Sequence, residues 1–249
     1  MKRFLVSIIF VISFVISYSQ ISDSSINVWQ VSLNYSFQLP GGDMAERFGV
    51  NSMVGTSAKF KTKKNWIIGL EGAFMFGGNI KDGTTMLDAL KTSNEQIINE
   101  YGEYGIILLS QRGFYVGATA GKLFPVLSPN QNSGLFLNIG AGLLQHKIHI
   151  ENRNNNTPPV LGDYKKGYDK LSNGVAINQF IGYQYLSNNK MLNFYVGLEF
   201  YQAFTRSRRD FDFDTRIQDT KNRLDLLYGI KAGWILPLYQ QSPDKFYYY

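Results

Sequence analysis

The sequence predicts an all-β protein: an eight-stranded antiparallel transmembrane β-barrel with long extracellular loops, one of them containing a short helix. Three observations predict it. The chain begins with an export address, its later segments alternate large apolar residues with small or polar ones, and its connections are by turns short and long. Composition narrows the alternatives. The 249 residues include 24 Gly, 16 Tyr and 18 Phe but no Cys, which excludes disulfide staples, thiolate metal sites, a Cys nucleophile and a lipid-modified N-terminal Cys. Two His leave little for a His-rich metal centre. A hydrophobic share of 44% is too high for a disordered chain, and a net charge of +6 is too mild for a dedicated nucleic-acid binder. So many aromatic residues beside so many glycines are unusual for a soluble enzyme.

The export address comes first. Met1, Lys2 and Arg3 form a short basic start, Phe4 to Ile16 is almost wholly apolar, and Ser17 and Ser19 stand three and one positions before Gln20. That is the layout of a secretory signal peptide cleaved near Ser19/Gln20. The expected division is therefore a signal peptide at 1–19 and a barrel domain at 20–249. The apolar core is short for a membrane span of about 20 residues, and no later stretch reaches the ~18 apolar residues of a transmembrane helix.

The strands follow from a two-residue period, which places alternate side chains on opposite faces. From Ile26 to Gln38, Trp29, Val31, Leu33, Tyr35 and Phe37 share one face, and Gln30, Ser32, Asn34, Ser36 and Gln38 share the other. Gly49–Lys61 is the second strand. In the third, Trp66, Ile68, Leu70, Phe74 and Phe76 alternate with Gly69, Glu71 and Ala73. Ile106–Ser110 reads as a strand of its own, which would make nine. With both termini on the periplasmic side the count must be even, so it is joined to Gly113–Phe124 as one long fourth strand, with a β-bulge expected at Gln111-Arg112-Gly113. Gly134–Ile150 and Gly174–Ser187 are the fifth and sixth. In the seventh, Phe194, Val196, Leu198, Phe200 and Phe204 alternate with Tyr195, Gly197 and Glu199; in the eighth, Tyr228, Ile230, Ala232, Trp234 and Leu236 alternate with Gly229, Lys231 and Gly233.

Thr62–Asn65 and Asn188–Lys190 are short connections, whereas Ile80–Arg112, Glu151–Asn173 and Arg206–Asn222 are long. Short periplasmic turns and long outer loops are the outer-membrane pattern. The apolar face carries the bulk and the other face is small and polar, which is the reverse of a soluble barrel. Trp29, Trp66 and Trp234 fall near the periplasmic ends of their strands on the apolar face, as an interface girdle does.

The signal peptide, the alternating strands and the aromatic ending resemble the small OmpA/OmpX-like barrels. The run from Gly233 to Tyr239, with Trp234, Ile235 and Leu236, and the final Lys245 to Tyr249 resemble small outer-membrane β-barrel proteins of the Bacteroidota. The resemblance implies a Gram-negative cell outer membrane, insertion by the outer-membrane assembly machinery, and contact with outer-membrane lipid and lipopolysaccharide. It implies no single activity.

Candidate sites follow. Glu71, Glu199 and Lys231 lie on inward faces at one level near mid-barrel, with Lys59 inward and lower. An eight-stranded barrel is just wide enough for its side chains to fill, so these charges read as a salt-bridged plug, with a gated ion path or proton site as the other reading. His146 and His149 are three apart on a strand and point to opposite faces, so they cannot share one metal ion; both are expected to be simple polar residues near the outer rim. Asp210, Asp212 and Asp214 alternate as if on a strand extension, ~6.5–7 Å apart, too far for all three to hold one calcium. Arg206, Arg208, Arg209 and Arg216 stand nearby and form a candidate lipopolysaccharide contact through bidentate phosphate binding. Thr85 with Asp88 resembles a capping box, and Met86, Leu90, Ile97 and Tyr101 recur near helical spacing, so a helix is expected through Glu100 to lid the barrel or meet a partner. The polar run Asn152–Thr157 and the basic, aromatic run Asp163–Lys170 read as solvated loops, with sugar, lipid headgroup or partner contact as the sharper alternative.

No catalytic, metal or cofactor residue is assigned, and nucleic acid is not an expected partner. The leading expectation is a non-enzymatic outer-membrane barrel with a structural or interaction role, an accessory subunit of a larger complex of outer-membrane proteins. The alternatives are a small pore or surface ligand-binding barrel and, third, an outer-membrane lipid-modifying enzyme.

Overall fold

The computed structural model describes residues 24–81, 85–153, 156–187 and 192–238. The signal peptide, its cleavage site and the last aromatic residues, 239–249, lie outside the described residues. Eight strands close into an antiparallel barrel in sequence order: β1 (Val28–Gly42), β2 (Asn51–Lys61), β3 (Trp66–Gly77), β4 (Ile107–Phe124), β5 (Gly134–Asn152), β6 (Ser172–Leu186), β7 (Asn193–Ser207) and β8 (Asn222–Leu238). The seam is β1 against β8, in register from Trp29↔Leu238 to Gly42↔Asp225. The strands run 11 to 19 residues, and a tilted strand crosses a bilayer with ~9–11.

The two-residue period decides which way each side chain points, and here it turns the barrel inside out relative to a soluble one. Along β1, Gln30, Ser32, Asn34, Ser36 and Gln38 are buried in the lumen, while Trp29, Leu33, Tyr35, Phe37 and Leu39 are exposed on the outer wall. Leu33 and Leu70 are 62% and 65% exposed, whereas Gln38 is 0% exposed. A continuous apolar belt of this kind needs an apolar surrounding. Inward glycines leave room for the large side chains that fill so narrow a lumen: a Cβ on Gly233 would lie 2.4 Å from the Tyr195 ring, and one on Gly117 would lie 2.3 Å from the Tyr115 hydroxyl.

β4 is one strand of 18 residues. No bulge interrupts it: Gln111, Arg112 and Gly113 each keep one partner in β3 and one in β5. The connection to β5, residues 125–133, then lies at the same end as the β2–β3 turn, and the long loops gather at the other end.

Two expectations for the long loops do not hold. The helix expected through Glu100 is only a 3-10 turn at Asp88–Leu90. Beyond it the chain makes tight turns, with bridges Lys91↔Ile97 and Ile98↔Tyr104, because the Asn99 side chain accepts bonds from the backbone N–H of Tyr101 and Glu103, and Glu95 and Gly102 take positive φ. Met86 and Ile97 are buried nonetheless. The Asp210–Asp214 segment is not a strand extension: Asp212 pairs with Ile217 around a turn, and Asp212 accepts a bond from the Asp214 N–H at 3.0 Å. A short helix does form, in the first loop, as α1 (Asp43–Arg47).

Candidate functional site

The lumen is the most organised part of the molecule, and it is filled in layers. At the turn end, Ile67, Leu123, Phe136, Phe180, Leu186, Tyr195 and Ile235 form an apolar cluster. Below them the connection 125–133 folds under the mouth. Asn132 Oδ1 accepts bonds from Lys61 Nζ at 2.9 Å and from the Ile26 N–H at 3.0 Å, and Asn130 donates to the Leu186 carbonyl at 2.8 Å.

The middle layer is ionic. Inward positions of four strands bring Lys59, Glu71, Glu199 and Lys231 together. Lys231 Nζ lies 2.7 Å from Glu199 Oε1 and also bonds Glu71 Oε1, while Lys59 Nζ lies 3.2 Å from Glu71 Oε2. Glu199 accepts further bonds from Ser36 Oγ at 2.8 Å, Asn178 Nδ2 at 3.0 Å and the Tyr201 hydroxyl at 3.1 Å. Two carboxylates face two ammonium groups, so the layer is neutral, and its partners meet the heavy hydrogen-bond demand of buried charge. Lys59 also lies over the rings of Phe136 and Tyr195, which joins the ionic layer to the apolar one.

The loop end is closed by α1. Gly42, at φ 57, turns the chain into the mouth at a place where a Cβ would lie 2.4 Å from the Leu224 carbonyl oxygen. Met44 and Phe48 are then fully buried with Met53, Met75, Tyr115 and Leu144. Outside, Asp43 accepts bonds from Lys221 Nζ at 2.9 Å and from the Leu224 N–H at 2.7 Å. These donors hold the Asp43 carboxyl below the usual carboxylate range, with the Lys221 bond the larger cause. Inside, Arg47 reaches Asp225 at 3.4 Å and Ser172 at 3.2 Å. Asp225 also meets His146 Nε2 at 2.9 Å and the Thr205 hydroxyl.

His146 thus lies at the loop end, paired with Ser172 at the start of β6, but it is not a simple polar residue there. It is fully buried, whereas His149 points outward and is partly exposed, so the two occupy opposite faces. Thr205, His146 and Asp225 resemble a hydroxyl–imidazole–acid set, but the hydroxyl bonds the carboxylate and not the ring, so no base addresses a nucleophile. Asp225, Lys61 and Arg47 were missed by sequence reasoning. The signal for the first two was present: both stand on the inward parity of their strands, as Lys231 and Lys59 do.

The four arginines do not converge. Arg206 and Arg208 border an open groove of about 890 Å³ on the outer wall at the loop end, floored by Phe114, Leu143, Val175 and Phe204. Arg209 is committed to Asp169, with Nε 2.7 Å from Oδ1, and Arg216 sits in the turn after Asp212. Trp29, Trp66 and Trp234 are each about half exposed on the outer wall. Trp29 and Trp66 stand at the starts of their strands, and Trp234 pairs with Phe194 near the start of β7.

No protein-family model and no curated protein matches the chain. Among solved structures it is similar to Neisserial surface protein A, at 12% identity over 84% of this chain and 96% of that one with a TM-score of 0.45. It is similar to Ail, the attachment invasion locus protein of Yersinia pestis, at 10% identity over 84% and 99% with a TM-score of 0.44. It is also similar to the outer membrane protein OprG from Pseudomonas aeruginosa, at 10% identity over 85% and 96% with a TM-score of 0.40. The eight-stranded closure of this chain rests on its own strand register.

Proposed function

We propose that the chain is a sealed, non-enzymatic outer-membrane β-barrel with a structural or interaction role, an accessory subunit whose loop end meets other outer-membrane proteins. The observation that carries this reading is the filled lumen. An apolar layer, a neutral four-charge layer and the buried face of α1 succeed one another between the two mouths. A pore would keep charged walls apart and wet; here the opposite charges are spent on one another. The apolar outer belt supports the membrane location, and the short turns are assigned to the periplasmic side because the long loops lie together at the other end.

Two measurements test the reading. In planar bilayers the purified barrel gives no steady channels, and steady single-channel steps in the wild type overturn the seal. Purified from native outer membranes in mild detergent, a tagged copy carries a reproducible stoichiometric partner; a clean monomer overturns the subunit role.

A second reading of the outer wall has its own observation, the groove under Arg206 and Arg208. An apolar floor beneath two guanidinium groups suits an acyl chain below a phosphate, the chemistry of lipopolysaccharide.

A further inference from the structure

The connection from β4 to β5 is divided. Its second half turns in under the barrel mouth, where Asn130, Asn132 and Ser133 are buried. Its first half, Pro125-Val126-Leu127, stands outside. Val126 is 57% exposed and Leu127 is 94% exposed, and Leu127 holds φ 51, the left-handed region that non-glycine residues enter at a cost. The Tyr183 hydroxyl, which donates to the Leu127 carbonyl at 3.0 Å, keeps it there.

That bond fixes where the turn lies. Tyr183 belongs to the outward face of β6, its cross-strand partner is Leu135 of β5, and Leu135 pairs in turn with Phe124 of β4. The turn is thus laid back against the outer wall at the row of Phe124, Leu135 and Tyr183, beside Lys122, whose Nζ lies 5.0 Å from the Trp66 ring. Tyr, Trp and a Lys beside apolar side chains mark the level of a membrane interface. The backbone of the segment suits that level too. Pro125 has no N–H, the Val126 N–H donates to the Phe124 carbonyl at 2.7 Å, and the Leu127 carbonyl is taken by Tyr183, which spares lipid these polar groups.

We propose that Pro125–Leu127 is a lipid anchor: Val126 and Leu127 enter the acyl region of the periplasmic leaflet, and this turn binds a phospholipid surface. The proposal rests on the reading of the barrel as membrane-spanning, and the test separates the two. Because the chain has no Cys, single substitutions carry a spin label cleanly. Leu127→Cys is compared, in phosphatidylethanolamine–phosphatidylglycerol vesicles, with Leu70→Cys on the apolar belt and Lys64→Cys at the exposed β2–β3 turn. Accessibility to oxygen and to a water-soluble nickel chelate is read at each site. The expected result is an oxygen-to-nickel ratio at 127 several-fold above that at 64 and close to that at 70. A ratio at 127 equal to that at 64, with 70 still high, overturns the anchor alone; a low ratio at 70 as well overturns the membrane reading. Tyr183→Phe, which frees the turn, is expected to lower the ratio at 127 and leave 70 unchanged; no change at 127 removes Tyr183 from the device. A label at 127 shielded from both reagents in native outer membranes points to a protein partner instead and overturns the lipid assignment.

Discussion

Lys231 Nζ sits between two carboxylates from different strands, 2.7 Å from Glu199 Oε1 and bonded on its other side to Glu71 Oε1. One ammonium group thereby ties β8 to β7 and, across the lumen, to β3. Removing it leaves Glu199 buried with neutral donors only, and leaves Glu71 to Lys59. Breaking one partner out of a buried charge set costs ~3–5 kcal/mol. Lys231→Met is expected to lose that much in denaturant unfolding followed by tryptophan emission in vesicles. Adding Glu199→Gln is expected to return part of the loss, since the two positions share one interaction. Additive effects would show that the contact contributes little.

The glycines of the lumen make a sharper contrast. A Cβ on Gly233 meets the Tyr195 ring, which already packs edge-on against Phe180 at 5.5 Å and has little room to turn. Gly233→Val is expected to destabilise by ~1–3 kcal/mol, the ordinary cost of overpacking. Gly78→Ala, where nothing lies within 4 Å, is expected to stay within ~0.5 kcal/mol of wild type. Equal effects of the two in the same unfolding assay would refute a tightly packed lumen.

How much of this was legible in the sequence depends on which force decides the geometry. Parity fixes the side of every strand residue, so Glu71, Glu199, Lys231 and Lys59 could be assigned inward from spacing alone. The same rule held for His146 and Asp225, but pairing them needed the register between β5 and β8 and the fold of α1 between them. The loops obey no such period. Met86, Leu90 and Ile97 have helical spacing, yet the Asn99 side chain competes for the backbone and the segment becomes turns. Arg206 through Arg209 are neighbours in sequence, but Asp169, from another loop, removes Arg209 from the group. Local spacing carries no information about such a distant partner.

The closure of the loop end by α1 has a pH dependence. Lys221 and the Leu224 N–H depress the Asp43 carboxyl, so the folded form has the lower pKa. Its contribution is therefore fully present above the unfolded carboxylate range, near pH 4, and is lost as pH falls through the folded value below that. The Asp43 side chain is only partly covered and its partner Lys221 is exposed, which limits the contribution to the ~0–1 kcal/mol of surface pairs. Hydrogen exchange of the 43–50 segment, corrected for intrinsic rates, is expected to quicken only below pH 4 in the wild type and to be quick throughout in Asp43→Asn. A wild-type profile flat down to pH 2.5 would remove Asp43 as the outer tie of α1.

The groove on the outer wall separates two kinds of lipid contact. The belt residues Leu33 and Leu70 meet any acyl chain, whereas Arg206 and Arg208 add a charge above the floor of Phe114, Leu143, Val175 and Phe204. Hydrogen bonds to charged groups contribute ~1.5–3 kcal/mol each, which corresponds to roughly ten-fold or more in affinity per arginine. Arg206→Gln with Arg208→Gln is expected to lower the lipopolysaccharide retained on the purified barrel, read by native mass spectrometry, by at least ~100-fold in apparent affinity. Phospholipid retained by the belt should be unchanged. Arg209→Gln, which touches the Asp169 pair and not the groove, should leave both untouched. Equal retention by the double variant and the wild type would reduce the groove to ordinary belt surface, because the apolar floor alone does not distinguish a phosphorylated headgroup from any other lipid.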